Sequence, residues 1–233
     1  MRILGIDTSG KIASVAVTEN GKVLWEKSVF TKLTHSQIIL PMVKEALDET
    51  ELDFDKIDCV AVADGPGSYT GLRIGIGAVK GMCLGCKTLQ CAGISTLMSL
   101  AYNCVEFTGK IISVMRARPK IVYEGEFLSD GTKIKRLSPD RVCGEEEIFG
   151  NTDTSQKIML TGDGAGEIKE KYFGDNNNVL VASAGNMLQK AVSLCICAEQ
   201  NPAFITDADK LGVSYLQATK AEKDKAHRQG GIL

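Results

Sequence analysis

GPGSYTGLRIG, residues 65–75, follows the apolar run IDCVAVADG (57–65) and opens into a helix predicted over 71–86. Gly65, Gly67 and Gly71, with Pro66 among them, make a turn from strand to helix. In such a turn, free backbone N–H groups and the positive end of a helix dipole can meet an anion. The wording is not that of a phosphate loop. A Walker loop ends in Gly-Lys-Ser/Thr, whereas Gly71 precedes Leu72 and Arg73, and the glycine spacing is one residue too long for the dinucleotide fingerprint G-x-G-x-x-G. The helix is the odder feature. Gly75, Gly77, Gly81 and Gly85 each cost about 0.8–1 kcal/mol against alanine, together about 3–4 kcal/mol that some contact must offset. Gly77, Gly81 and Gly85 recur every fourth residue beside Ile74 and Ala78, so one helix face is nearly flat. On spacing alone, that face serves either close packing inside this chain or the docking of a second protein.

Outward from the loop, ILGID (3–7), IASVAVTEN (12–20) and KVLWEKSVF (22–30) are β-branched runs, the last two joined by Asn20-Gly21, and they predict a three-stranded meander. SQIILPMVKEALDET (36–50) sets Ile39, Met42, Val43, Ala46 and Leu47 at helical spacing, with Ser36 as N-cap and Pro41 tolerable only near the first turn. IDCVAVADG and TLQCAGI (88–94) read as strands on either side of the glycine helix. The pattern then restarts near residues 100–110. GKIISVMRARPKIVYEGEF (109–127) predicts a hairpin turning at Pro119, and KIMLTGDGAGE (157–167) a strand, a glycine turn and a helix start. A second apolar helix is predicted from Asn186 to Glu199, and the charged tail from Thr219 to Gln229 as a solvated helix end; residues 128–156 receive no element. Two halves that each open on a hairpin and end in helices indicate an α/β protein of two similar subdomains.

A chain of 233 residues that is 44% hydrophobic can bury a substantial core. Its formal charge of −2 and pI near 5.8 lack the positive field of a nucleic-acid binder, so RNA is expected to reach this chain only through a partner. MRILGIDTSG enters a strand directly, without the charged and apolar regions of a secretory signal, and no apolar run reaches membrane-spanning length. Eight cysteines in a chain of this kind predict reduced thiols and a cytoplasmic setting.

The glycine loop, together with LGIDTS (4–9) and ASVAV (13–17), resembles the bacterial TsaB family, also called YeaZ. The likeness continues in order through His35-Ser36 leading into IILP (38–41), ARPKIVY (117–123), TGDGA (161–165) and YLQA (215–218). The resemblance implies the fold of the actin-like and hexokinase-like ATPase superfamily, with two related subdomains that are each a mixed sheet flanked by helices. Here they are drawn at 1–103 and 104–204, with 205–233 as a candidate to complete the first. It also implies a non-catalytic partner that binds and activates the TsaD threonylcarbamoyltransferase, which makes threonylcarbamoyladenosine at position 37 of tRNAs reading ANN codons. A TsaE-type ATPase works alongside, and a homodimer forms when the chain is alone. Carried onto this sequence, the docking surface includes Ile38, Ile39 and Met42 on the first helix, and Leu72, Gly75, Gly77 and Gly81 on the second. ATP or ADP at a partner interface is the one cofactor considered, with Asp7, Thr8, Ser9, Thr70, Arg73, Gly162, Asp163 and Gly164 as the positions to meet it. The sequence departs from the family pattern at Arg116, where the family has aspartate, at Ile121, where it has an acidic residue, and at Gln217, where it has arginine.

Rival activities are weaker. A self-standing ATPase of this superfamily clamps phosphates between two hairpins and holds magnesium with carboxylates. Asp7-Thr8-Ser9 suits the first hairpin, but the turn Arg116–Pro119 offers cations and no carboxylate. A metallopeptidase needs clustered histidines, and this chain has only His35 and His227, far apart. His35 is read as a helix-start residue packing locally. Cys83-x-x-Cys86 closes a helix, where a redox pair would open one, and a zinc site would need Cys91 and Cys104 as well, so reduced core or interface thiols are preferred. The basic runs RARPK (116–120) and KIKR (133–136) are read as solvated, or as touching tRNA within a complex. No catalytic residue and no metal ligand is assigned.

Overall fold

The computed structural model describes residues 1–30 and 33–216. The meander forms as read: β1 (Arg2–Asp7), β2 (Ile12–Glu19) and β3 (Lys22–Phe30) pair antiparallel, from Arg2 opposite Glu19 to Asp7 opposite Ser14 across the first pair. Asn20 and Gly21 both take positive φ, at 49° and 76°, which is why that dipeptide turns the second hairpin. After α1 (His35–Thr50), β4 (Cys59–Gly65) runs parallel beside β1, and after α2 (Tyr69–Gly85), β5 (Gln90–Ser95) runs parallel beside β4.

The chain then folds α3 (Thr96–Tyr102) and a second sheet. That sheet comprises β6 (Gly109–Arg118), β7 (Ile121–Ser129), β8 (Ile134–Arg136), β9 (Arg141–Gly144), β10 (Ile158–Thr161) and β11 (Val179–Val181), interrupted by α4 (Glu145–Asn151) and α5 (Ala165–Ile168). Its order is β11-β10-β6-β7-β8, with β9 on the other half of β7. Finally α6 (Ala191–Gln200) and β12 (Ile205–Thr206) return to the first sheet, whose order is β12-β5-β4-β1-β2-β3.

Alternation along β1 divides the interior. Leu4 and Ile6 face α1 and α2, packing with Ile39, Met42, Val43, Ile76 and Val79. Ile3 faces the opposite way, into a core that Leu97 and Leu100 of α3 and Leu194 of α6 share with Ile111 and Phe127 of the second sheet. This middle layer joins the two sheets.

Several elements differ from the sequence reading. The cap of α1 is Thr34, not Ser36, because Gln37 stands three residues on and its side chain accepts from the Thr34 N–H at 3.1 Å. Pro41 sits in the second turn, where the missing hydrogen bond is outweighed by the buried face of Ile39, Met42, Val43, Ala46 and Leu47. Helix α6 starts at Ala191, five residues later than predicted, because Lys190 is extended and the Ala191 N–H donates to Ser14 Oγ at 2.9 Å. Although α6 falls within 104–204, it lies on the first sheet; at Gly5 a Cβ would sit 2.5 Å from the Ala191 carbonyl oxygen. Residues 128–156 hold β8, β9 and α4. The predicted tail helix, Gln217 and His227 lie outside the described residues.

Candidate functional site: a helix groove and a cleft between the sheets

The glycine loop serves the chain's own backbone. A Cβ on Gly71 would lie 2.0 Å from the Thr8 carbonyl oxygen, and one on Gly67 would lie 2.4 Å from that of Ser9. Thr8 Oγ1 donates to the Gly71 carbonyl at 2.7 Å, and the Ser68 N–H donates to the Ser9 carbonyl at 2.7 Å. The Gly71 N–H is taken by the capping Ser68 hydroxyl. Of the loop N–H groups, that of Ser68 is therefore engaged by the turn that follows β1 and that of Gly71 by its own helix cap. Helical periodicity then turns Leu72, Gly75, Ile76 and Val79 inward; a Cβ on Gly75 would meet Thr8 Oγ1 at 2.5 Å. This corrects the docking set: Ile39, Met42, Leu72 and Gly75 are core residues, Ile38 is half-buried, and Gly77 and Gly81 are on the surface.

Gly77, Gly81 and Gly85 have no atom within 4 Å of a built Cβ. Beside them runs a groove of about 720 Å³ between α1 and α2, lined by Leu40, Val43, Leu47, Ala78, Met82 and Phe54 among others. Leu40 is 52% exposed and Leu84 81%, so nothing within the described residues covers this apolar face. The helix-propensity loss carried by these three glycines is not offset by any contact on their side-chain side among the described residues.

A second concavity of about 480 Å³ opens between the subdomains, where Ser9, Gly10 and Lys11 face Arg116 and Ala117. Beneath it Asp7 is fully buried. Its Oδ1 accepts from the Ser9 N–H at 2.8 Å and the Ser9 hydroxyl at 2.6 Å, its Oδ2 has no partner, and burial drives its pKa up to about 6. The Gln189 amide is pressed on the hairpin tip, 2.6 Å from where a Gly10 Cβ would be. Across the cleft, the Arg116 N–H donates to Asp163 Oδ1 at 2.9 Å and the Arg116 guanidinium pairs with Glu167. Gly162, at φ 100°, packs directly on the Val114 carbonyl.

The residues proposed for a nucleotide are thus divided. Asp7, Thr8 and Ser9 lie on one side of the cleft and Gly162, Asp163 and Gly164 on the other, while Arg73 donates to Tyr215 Oη at 3.0 Å and stacks 4.0 Å over the Tyr69 ring, with Thr70 exposed beside it. Facing the cleft, the Arg116 guanidinium is paired with Glu167, one Asp7 oxygen is engaged by Ser9 while Oδ2 keeps no partner among the described residues, and the Gln189 amide lies on the hairpin tip.

All eight cysteines are free thiols. Cys83 and Cys91 lie under α2 while Cys104 belongs to the middle layer, so the four-thiolate set is not assembled. Burial raises the thiol pKa values of Cys83 and Cys91, the latter pushed up to about 11. His35 opens α1 half-buried, its pKa lowered by burial, and no group of metal-ligating side chains occurs among the described residues.

Two clusters escaped the sequence reading. One is Tyr69, Arg73 and Tyr215. The other joins the sheets: Ser95 Oγ donates to Asp140 Oδ2 at 2.5 Å, Arg136 pairs with Asp140, and Asp64 of β4 faces both. Burial and then Asp140 push the Asp64 pKa up to about 7, against the opposing pull of Arg136. YLQA, KIKR and the glycine loop marked Tyr215, Arg136 and Arg73 separately, but nothing in the sequence joined Tyr215 to Arg73 or Arg136 to Asp140.

A family model described as TsaD, tRNA N6-adenosine threonylcarbamoyltransferase, matches residues 30–225. The tRNA threonylcarbamoyladenosine biosynthesis protein TsaB of Buchnera aphidicola subsp. Schizaphis graminum is 34% identical over 175 residues, 72% of this chain and 81% of that protein. The chain belongs to the TsaB family. The family's Escherichia coli (strain K12) protein is 38% identical over 132 residues, and the chain spans 56% of its length. Against the Bacillus subtilis (strain 168) protein it spans 61%. A Pseudomonas aeruginosa protein with similarity to peptidase YeaZ superposes with a TM-score of 0.81 at 25% identity, covering 93% of this chain and 99% of that one. The two-sheet architecture is that of the actin-like and hexokinase-like ATPase fold. No helix among the described residues is long and apolar enough to cross a membrane.

Proposed function

We propose that this chain is a non-catalytic scaffold that binds and activates a TsaD-type threonylcarbamoyltransferase, in the formation of threonylcarbamoyladenosine at position 37 of ANN-decoding tRNAs. The observation that carries the reading is the uncovered α1–α2 groove, whose floor of Gly77, Gly81 and Gly85 admits another helix at close range. The cleft supports the non-catalytic part through its far side, where the Arg116 guanidinium is paired with Glu167 and the turn Arg116–Pro119 brings no carboxylate with which to hold magnesium. In this reading a second copy covers the groove when the transferase is absent, and a TsaE-type ATPase joins the complex. tRNA arrives through that complex, the setting is the cytoplasm, and ATP or ADP is held at a joint between subunits.

Threonylcarbamoyl transfer to tRNA tests this, in a mixture of the TsaD-type enzyme, the TsaE-type ATPase and the carbamoyl-adenylate-forming enzyme, with and without this chain. Dependence on the chain is the expected result. Full activity without it, or ATP turnover by the chain with magnesium alone, overturns the proposal.

A further inference from the structure

We infer that the chain's last described segment, residues 207–216, is part of the docking surface: it lays Tyr215 on α2, so that Tyr69, Arg73 and Tyr215 form a rigid head continuing the glycine groove. This rests on the scaffold reading above.

The register of α2 makes the surface continuous. Tyr69, Arg73, Gly77 and Gly81 recur every fourth residue, all exposed, so one stripe carries two bulky side chains in its first half and bare backbone in its second. Tyr215 stacks on Tyr69 with ring centroids 5.1 Å apart and accepts from Arg73 Nε at 3.0 Å, while both rings remain 40% exposed.

The segment does not need Tyr215 to stay in place. Leu211 is buried at 5% exposure, the Ser214 N–H donates to the Asp64 carbonyl at 2.8 Å, and a Cβ on Gly65 would sit 2.4 Å from the Ser214 carbonyl oxygen, so backbone packs on backbone there. Tyr215 instead presents ring surface outward. Tyrosine and arginine dominate binding energy at interfaces, and side chains already ordered against each other lose little freedom on binding. The occupant is the transferase partner, with a helix lying in the groove and its end against the two rings.

The test is a binding titration of the full chain with the TsaD-type partner. Tyr215→Ala is expected to weaken binding about tenfold or more, the effect of a hot-spot side chain, with the melting temperature held by Leu211 and Ser214. Tyr215→Phe, which keeps the ring and loses the Arg73 hydrogen bond, is expected to fall between wild type and Tyr215→Ala. Gly77→Leu, which fills the groove, separates the two claims. Binding lost in Gly77→Leu but unchanged in Tyr215→Ala overturns this inference and leaves the scaffold reading standing. Binding unchanged in both overturns the scaffold reading as well. Should Tyr215→Ala lower the melting temperature, Arg73→Gln, which leaves both rings in place, decides instead: unchanged affinity overturns the inference and a severalfold loss upholds it.

Discussion

The two concavities invert what their positions suggest. The cleft lies between opposed hairpins, yet part of its polar lining is already engaged within the chain: the Arg116 N–H with Asp163, the Arg116 guanidinium with Glu167 and one oxygen of Asp7 with Ser9, while Asp7 Oδ2 keeps no partner among the described residues. The α1–α2 groove lies on the outside of the sheet, where a surface is usually polar, yet it is apolar, wide and uncovered. A fold locates possible sites, and what the chain's own residues leave uncovered is what separates them. The glycines repeat the contrast. Gly67, Gly71 and Gly75 are small because backbone or Thr8 touches them, and Gly77, Gly81 and Gly85 are small although nothing touches them.

The sharpest way to break this comparison is Gly77→Leu. It is expected to abolish partner binding, a loss of about a hundredfold or more, while raising helix stability by nearly 1 kcal/mol because leucine is the better helix former. Titration and thermal melts read both halves, and lost binding with lost stability would place Gly77 among the packing glycines.

The next effect tests whether the interior is settled by the chain itself. Asp7 and Asp64 have folded pKa values of about 6 and 7, above the ordinary aspartate value of 3.8, so the folded state holds more protons than the unfolded between those limits. Their stabilisation is full below about pH 4 and is lost as pH rises through about 6 and then 7, worth roughly 3 kcal/mol for Asp7 and roughly 4 kcal/mol for Asp64. Denaturant midpoints are expected to be higher at about pH 5.5 than at about pH 8. Asp64→Asn is expected to remove the upper part of that slope, and a flat wild-type profile would refute the assignment.

Gly71→Ala is expected to destabilise by about 2–3 kcal/mol, because its Cβ has no space beside Thr8. Gly81→Ala is expected to stabilise by about 1 kcal/mol and to weaken partner binding only slightly. Equal melts for these two variants would erase the distinction between the glycine classes.

Much of the fold was legible because its signals are local. The meander, α1, α2 and the hairpin at Pro119 follow from side-chain period and turn chemistry, which neighbouring residues settle among themselves. Strands β8 and β9, of three and four residues, are too short to carry a period and exist only because β7 offers each of them half its length. The start of α6 was misplaced for a similar reason, since its apolar run continues upstream but Ser14, distant in sequence, sets the first turn. In the candidate site, the glycine spacing pointed to a flat helix face, and Ile39, Met42, Leu72 and Gly75 were assigned to it through family likeness alone.

By itself, then, the sequence determined the α/β class, the two halves, the unusual helix and the absence of a standard phosphate loop, because each is written in residue type and spacing. Only the tertiary structure decided which glycines face the core and which face solvent, that the Arg116 guanidinium beside the cleft pairs with Glu167, and that the chain's last described residues return to α2. Those outcomes depend on which distant groups meet, and a linear pattern cannot say whether a small residue is small for its own chain or for another.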